Sequence, residues 1–163
     1  MSDHQLRVSK IRNGTVIDHV TGGQALNVLA ILGIDGSAGE SVSVGMNVPS
    51  DRLGRKDIVK VEDRELSQSE VDVLSLIAPE ATINIIREYD VAEKLRVERP
   101  DLVTGVLSCP NHNCITNANE PVESKFEVVS AGGDASERRF DGVRCAYCGT
   151  ILRRNLAAHI DAA

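Results

Sequence analysis

Two closely spaced cysteine pairs constrain the C-terminal third of this chain more than any other feature. Four residues separate Cys109 from Cys114, two separate Cys145 from Cys148, and 30 residues lie between the pairs. Two such turns can bring four thiolates into a tetrahedron around one zinc ion. Four protein ligands leave no open coordination position, which is typical of a structural site. We therefore predict one structural Zn²⁺ per chain, held by these four cysteines.

Other uses of the four cysteines remain open at this point. They could form two disulfides or hold an iron centre, and His112 or His159 could replace one cysteine as a ligand. Four thiolates carry a formal charge of −4 against +2 on zinc. We therefore expect peptide N–H groups to donate hydrogen bonds to the sulfurs.

Because aromatic residues are scarce, the hydrophobic core of the C-terminal segment is expected to be small and to need additional stabilisation by a metal. Aromatic residues make up 2% of the chain and tryptophan is absent. The large rings of the C-terminal segment are Phe126, Phe140 and Tyr147. Zinc binding can supply on the order of 10 kcal/mol to a fold that lacks a large core.

The N-terminal part first predicts strands around one helix. A strand region with a bend at Gly14 precedes a helix that Thr21 would cap and Gly33 would end. Alternation of apolar and polar residues then predicts strands at Val42–Val48 and Ile58–Glu62. The predicted apolar positions of the helix are Ala25, Leu26, Val28, Leu29 and Leu32.

A second helix and strand complete the pattern. Ser67 and Glu70 form a capping box at the start of the helix, and Pro79 ends it. The segment Thr82–Tyr89 predicts a strand, and Val91 would continue the sheet after a kink. The order strand, helix, strand, strand, helix, strand indicates an α+β fold of the split βαβ (ferredoxin-like) type, with two helices on one face of an antiparallel sheet.

A lapse of apolar periodicity after Arg96 predicts a linker, with domains at residues 1–98 and 103–163. The second would be a small β domain around the metal. The net charge is −6 and neither half is basic, which argues against nucleic-acid binding. No apolar run is long enough for a membrane span, and no signal-peptide pattern is visible, so a cytoplasmic location is expected.

Three of the five lysines predict an anion site in the first domain. Lys56 and Lys60 share one face of a predicted strand, and Lys94 follows another strand. If those strands were neighbours, the three ammonium groups could converge on one anion. Asp18 and His19 could add an acceptor and a donor. The alternative is a solvated face with ordinary salt bridges, for example between Lys60 and Asp18.

Several motifs follow one another along nearly the whole chain. They are GTVIDH at 14–19, NVPS at 47–50, GRKD at 54–57, APEAT at 78–82 with Asn84, CPNHNC at 109–114 and CAYC at 145–148. Together they resemble the regulatory chain family of aspartate carbamoyltransferase.

The resemblance implies a regulatory subunit without catalytic activity, acting in pyrimidine biosynthesis. It implies an N-terminal domain that binds nucleotide effectors of the ATP and CTP class. A C-terminal zinc domain would hold the catalytic chain, and regulatory chains would pair as homodimers. The effector residues that it implies are Val8, Asp18, His19, Lys56, Lys60, Asn84, Ile86, Tyr89, Val91 and Lys94. Among these, Lys60 and Lys94 would meet phosphates or ribose, while Ile86 and Tyr89 would frame the base.

Two other function classes can be distinguished by simple assays. A zinc-ribbon nucleic-acid binder or assembly module would have the same cysteine cage, and binding to nucleic acid would weaken steeply with salt. A nucleotide hydrolase using Asp18 and His19 would turn over ATP or CTP. We expect neither behaviour.

Overall fold

A computed structural model describes residues 10–119, 122–131, 139–154 and 156–160. The chain divides after Glu98 into two compact units, inside the predicted linker. Across these described ranges, every helix is too short or too polar to cross a membrane.

The first unit is a five-stranded antiparallel sheet with two short helices. Its strands follow the order β2-β3-β1-β4-β5 across the sheet, and every pairing is antiparallel. The predicted split βαβ fold is confirmed, with one additional strand at the edge. The elements are β1 (Gly14–Thr21), α1 (Ala25–Ile31), β2 (Val42–Ser50), β3 (Gly54–Glu62), α2 (Gln68–Val73), β4 (Thr82–Arg87) and β5 (Asp90–Arg96).

One face of this sheet carries the core. Alternate positions of the three central strands are fully buried or nearly so, including Ile17, Val59 and Ile83. Val28 of α1 and Val71 of α2 belong to the same buried cluster. The aliphatic core that the composition requires is therefore formed between the sheet and the two helices, and the opposite face of the sheet is left for other uses.

The start of α1 differs from the prediction. Thr21 does not cap this helix; the N-cap residue is Gln24, without a side-chain cap hydrogen bond. Instead, the buried carboxylate of Asp57 accepts hydrogen bonds from the backbone N–H groups of Gly23 and Ala25, both at 2.9 Å. Leu26, predicted to be on the apolar face, is 62% exposed. The helix does end before Gly33, whose φ of +70° suits a glycine.

The start of α2 agrees with the prediction. The side chain of Ser67 accepts a hydrogen bond from the backbone of Glu70, and the Glu70 side chain accepts one from the backbone of Ser67. A 3₁₀ turn at Leu74–Leu76 extends the helix. The capping box was predictable because both of its partners lie within one turn.

The predicted strand Thr82–Tyr89 is too long. Glu88 and Tyr89 have φ of 51° and 69° and form a two-residue hairpin turn between β4 and β5. Val91 does continue the sheet, as predicted, but in a separate strand that pairs antiparallel with β4. Strand β2 extends through Ser50, beyond its predicted end.

The second unit is a four-stranded antiparallel sheet of order β6-β7-β8-β9. Its core includes Val103, Leu107, Phe126 and Val143 together with three of the cysteines. The predicted small β domain is therefore present, although the sequence pattern did not indicate strand β8. The strands are β6 (Leu102–Thr104), β7 (Lys125–Ala131), β8 (Arg139–Cys145) and β9 (Ile151–Leu152).

Candidate metal centre and effector surface

The four cysteine sulfurs form one cluster. All four lie within 4.8 Å of one another. The closest pairs are Cys109 with Cys148 and Cys114 with Cys145, each with an S···S distance of 3.6 Å. Four sulfurs bound to one zinc at about 2.3 Å would be about 3.8 Å apart. A disulfide would require about 2.05 Å, and all four cysteines are free.

The first cysteine pair is held by asparagines. The backbone N–H of Cys114 donates to the Asn111 carbonyl at 3.0 Å. The Asn117 side chain donates to the carbonyls of Cys109 and Asn111, at 2.8 and 2.7 Å. These bonds close the turn on itself, so both thiols of the pair face the same point.

The second pair lies on the turn between β8 and β9. The backbone N–H of Cys145 donates to the Thr150 carbonyl at 2.8 Å, and that of Gly149 donates to the Cys145 carbonyl at 3.0 Å. Gly149 has φ of +81°, a conformation that a side chain would disfavour. The turn that carries Cys148 is thus fixed by the pairing of β8, which precedes it, with β9, which follows it.

Hydrogen-bond donors surround the sulfurs, as expected for an excess of negative charge. The Thr116 hydroxyl donates to the Cys114 sulfur at 3.2 Å. The Thr150 side-chain and backbone donors lower the pKa of Cys148 to about 6. Burial raises the pKa of Cys109 to about 12 in the absence of metal, although the Asn111 backbone opposes it. This donor set suits a thiophilic cation such as Zn²⁺, whose charge favours the thiolate form.

The histidine alternatives do not fit this cluster. His112 lies in the first cysteine turn and is exposed. The described residues that could share a metal with these sulfurs are the four cysteines themselves, without His112 or His159.

On the open face of the first sheet, the polar residues align by strand register. Val16 of β1 pairs with Lys60 of β3 and with Asn84 of β4, and Asn84 pairs with Lys94 of β5. Residues directly opposite each other across strands share a face. Lys60, Asn84 and Lys94 therefore form one row, which we call the lysine row, on the face opposite the core.

A second row lies next to it. Asp18 pairs with Thr82, and Thr82 pairs with Arg96. A β-bulge at His19, with φ of 55°, lets its ring reach the Thr82 hydroxyl at 2.9 Å. Asp18 forms a 2.9 Å ion pair with Lys56.

The strands that carry Lys60 and Lys94 are not neighbours, so this condition for convergence of the lysines on one anion is not met. Strands β3 and β5 are not neighbours, because β1 and β4 lie between them. At about 4.8 Å per strand, the backbones of Lys60 and Lys94 are about 14 Å apart. Two such residues can flank an elongated ligand at its two ends more readily than they can grip one small anion. Burial lowers the pKa of Lys60, and the charge of Asp18 opposes this shift.

The remaining candidate residues lie towards the β4–β5 turn. Ile86 is buried, whereas Tyr89 and Val91 are 60% and 49% exposed. The backbone N–H of Tyr89 donates to the Arg12 carbonyl at 2.9 Å, which ties the turn to the chain before β1. Val8 lies outside the described residues.

Sequence reasoning missed two members of this surface, Thr82 and Arg96. The position of Thr82 follows from its pairing with Asp18 of β1, whereas that of Arg96 requires the existence of β5 as a separate strand. The available signal was the alternation of Lys94, Leu95 and Arg96.

Comparison with known proteins finds two family models along the chain. The model of the aspartate carbamoyltransferase regulatory chain, allosteric domain, matches residues 6–98. The model of its metal binding domain matches residues 101–157.

Whole-length relatives carry the same description. The aspartate carbamoyltransferase regulatory chain of Natronomonas pharaonis is 71% identical over 163 residues, 100% of both chains. That of Haloarcula marismortui is 72% identical over 159 residues, 98% of this chain and 96% of the relative. That of Methanoculleus marisnigri is 53% identical over 155 residues, 95% and 94% respectively. These matches confirm the resemblance found in the motifs and the expectation of a regulatory rather than catalytic subunit: the chain belongs to the aspartate carbamoyltransferase regulatory chain family.

Proposed function

We propose that this chain binds nucleotide effectors on the open face of its first sheet and docks through its metal-bearing unit to the catalytic chain of aspartate carbamoyltransferase. Control of that enzyme would place it in pyrimidine biosynthesis. The observation that carries the effector assignment is the lysine row, because it aligns two ammonium groups and an amide on one face.

The layout of the open face supports one orientation for a nucleotide. Ile86, Tyr89 and Val91 offer apolar and backbone contacts at the turn end, which suits a base. Lys94 lies further along β5, away from the turn, which suits the phosphates. Lys60, partly desolvated and close to Asp18, would contact the ribose or base side of the ligand.

The metal in this proposal is Zn²⁺, one per chain, bound by Cys109, Cys114, Cys145 and Cys148. The sulfur spacing, the four-cysteine donor set and the hydrogen-bond donors around it support that choice. The ion would stabilise the second unit and would take no part in bond making.

The surface around the cysteines supports a docking role. Ile115, next to Cys114, is 45% exposed, and Tyr147, between Cys145 and Cys148, is 44% exposed. Apolar side chains that stay exposed beside a rigid metal site are typical of an interface with another protein. Because this unit matches the metal binding domain of an aspartate carbamoyltransferase regulatory chain, we assign the catalytic chain of that enzyme as the partner.

An apolar sheet edge supports the regulatory homodimer. Strand β2 lies at the edge of the first sheet, and it exposes Val44 and Met46 at 36% and 42%. A nine-residue strand at the edge of a sheet favours pairing with another strand. We assign that position to β2 of a second copy of this chain.

Calorimetric titration of the full chain with ATP and CTP tests the effector site. Lys60→Ala and Lys94→Ala should each weaken binding at least about tenfold, as expected for loss of a charge-assisted contact. Lys125→Ala, on an exposed position of the second unit, is the matched control and should bind as the wild type does. Wild-type affinities in both lysine variants would reject this face as the site.

Allosteric control requires a second measurement. Nucleotide affinity should change when the associated catalytic chain binds its own ligands, because coupling between two sites is reciprocal. If nucleotide affinity were the same in the two states, the chain would bind nucleotides without regulating the catalytic chain.

A further inference from the structure

The C-terminal segment pairs with the chain just before the first metal-binding cysteine. A 3₁₀ turn at Leu156–His159 precedes Ile160, which forms an antiparallel bridge with Leu107. The backbone N–H of Ser108 donates to the His159 carbonyl at 2.7 Å. Ile160 lies beyond residue 157, where the match to the family's metal binding domain ends. The bridge is therefore a contact that the family match does not cover.

Buried side chains anchor both partners of this pairing. Leu156 is 7% exposed and Leu107 is 2% exposed. Cys109, two residues after Leu107, is also buried. The C-terminal segment thus supplies an apolar anchor and a backbone acceptor to the short stretch of chain that carries the first of the four sulfurs.

The stretch that carries Cys109 leaves the sheet early. The pairing of β6 with β7 covers Leu102–Thr104, and just after it the Gly105 N–H donates to the Ser124 carbonyl at 2.8 Å. Beyond this bond the chain lines a polar cavity of about 290 Å³. Atoms beside a cavity lack packing contacts on that side. The backbone here is held by the C-terminal segment and by the Asn117 side chain, which donates to the Cys109 carbonyl at 2.8 Å.

This arrangement bears on how fast a bound ion can leave. For release to a competing chelator, the Cys109 sulfur must open from the ion and keep its electron pair, while a donor atom of the chelator takes its place. A backbone held in position returns the sulfur to the ion at a high effective concentration. A backbone that can swing away gives the chelator time to bind.

We propose that residues 156–160 form a strap that slows loss of the metal ion by holding the backbone of Cys109. This inference rests on the proposed four-cysteine zinc site and adds to it a device outside the ligand set. The strap prolongs the life of the docking surface, because binding of the ion and folding of the second unit are coupled.

The rate of Zn²⁺ transfer from the purified chain to an excess of chelator tests the strap. A chain that ends at Ala158 keeps Leu156 but loses the His159 carbonyl and the bridge at Ile160. It should release Zn²⁺ at least about tenfold faster than the wild type, as expected for loss of a hydrogen bond and the pairing around it.

Two matched controls keep the strap. A chain that ends at Asp161 is also shortened but retains all of residues 156–160. His159→Ala in the full-length chain removes a side chain but keeps the backbone carbonyl that Ser108 contacts. Both should release Zn²⁺ within about twofold of the wild-type rate.

Amide hydrogen exchange of the Zn²⁺-loaded chains separates a local strap from general support of the fold. In the chain that ends at Ala158, the Ser108 amide should lose protection. The Cys145 amide, which donates to the Thr150 carbonyl, should keep it. Equal loss of protection at both amides would overturn the strap assignment.

A variant of full length makes the test independent of shortening the chain. Ile160→Asp places a charge at a half-buried position of the bridge and should speed release at least about threefold. Equal release rates in the chains that end at Ala158 and Asp161, with Zn²⁺ bound in both, would overturn the strap while the metal site stands. A wild-type chain that takes up no Zn²⁺ would reject the metal site itself.

Discussion

The two units of this chain are built on different sources of stability. The first buries aliphatic side chains between a sheet and two helices, with Leu74 and Ile83 among its fully buried residues. The second has few large buried side chains, of which Phe126 is the largest, and three of its buried positions are cysteines. In the first unit the hydrophobic effect is distributed over many contacts, whereas in the second we expect much of the stability to come from the proposed metal ion.

The largest effect that this difference predicts is loss of the metal. Cys114→Ala should release Zn²⁺ and unfold the second unit, because the lost binding free energy is on the order of 10 kcal/mol. Assembly with the catalytic chain should be lost as well, while the first unit keeps its sheet. Zinc content, sedimentation and hydrogen exchange would measure these results. A fully assembled, zinc-free complex would show that the metal is not what holds the second unit.

Removal of a single buried carboxylate should have the next largest effect on stability, and this effect should be confined to the first unit. Asp57 accepts backbone hydrogen bonds from Gly23, Ala25 and Asn47, so Asp57→Ala leaves three N–H groups without this acceptor. The free energy of unfolding of the first unit should fall by about 3 kcal/mol, with zinc content unchanged.

Asp35→Ala is the control for that variant. Asp35 is exposed, and among the described residues its carboxylate accepts a hydrogen bond from Ser37 in the same loop. Chemical denaturation should show less than about 0.5 kcal/mol of change. Similar losses in the two variants would contradict the central role given to Asp57.

A smaller effect is expected at the start of α2. Ser67→Ala removes the cap and should lower the free energy of unfolding of the first unit by about 1 kcal/mol. Ser69→Ala, two residues later, removes the 3.0 Å contact between the Ser67 and Ser69 hydroxyls but keeps the cap, and is the control. Urea denaturation followed by circular dichroism would detect the difference, and a larger loss from the control would argue against the cap.

The smallest predicted effect depends on pH. Burial raises the pKa of Glu70, but hydrogen bonds from Ser67 and the charge of Arg64 outweigh it, so the net pKa is lowered from 4.5. A lowered carboxyl pKa adds stability above the unfolded value, and that stability is lost as pH falls from about 4.5 through the folded pKa. In Glu70→Gln, the free energy of unfolding should therefore decrease less steeply than in the wild type as the pH falls. Parallel pH curves for variant and wild type would contradict this.

Local structure could be predicted from the sequence where it is determined by residues that are close together in the chain. The capping box at Ser67 and the two cysteine turns depend on residues only a few positions apart. The prediction failed where the local structure is determined by a residue that is distant in the chain. The cap of α1 comes from Asp57, 32 residues beyond Ala25. The position of Arg96 depends on the hairpin turn at Glu88 and Tyr89, which propensity alone assigned to a strand. Strand β8 was missed because its charged residues and Gly142 interrupt the alternation.

The lysine row also limits how the chain can vary. Ile17 points into the core, while its neighbours Val16 and Asp18 belong to the open face. A deletion or insertion of one residue inside β1 would exchange these faces, so it would place a carboxylate in the core and isoleucine outside. Homologues can therefore differ in side chains across this sheet, but we expect length changes to be confined to the loops between its strands.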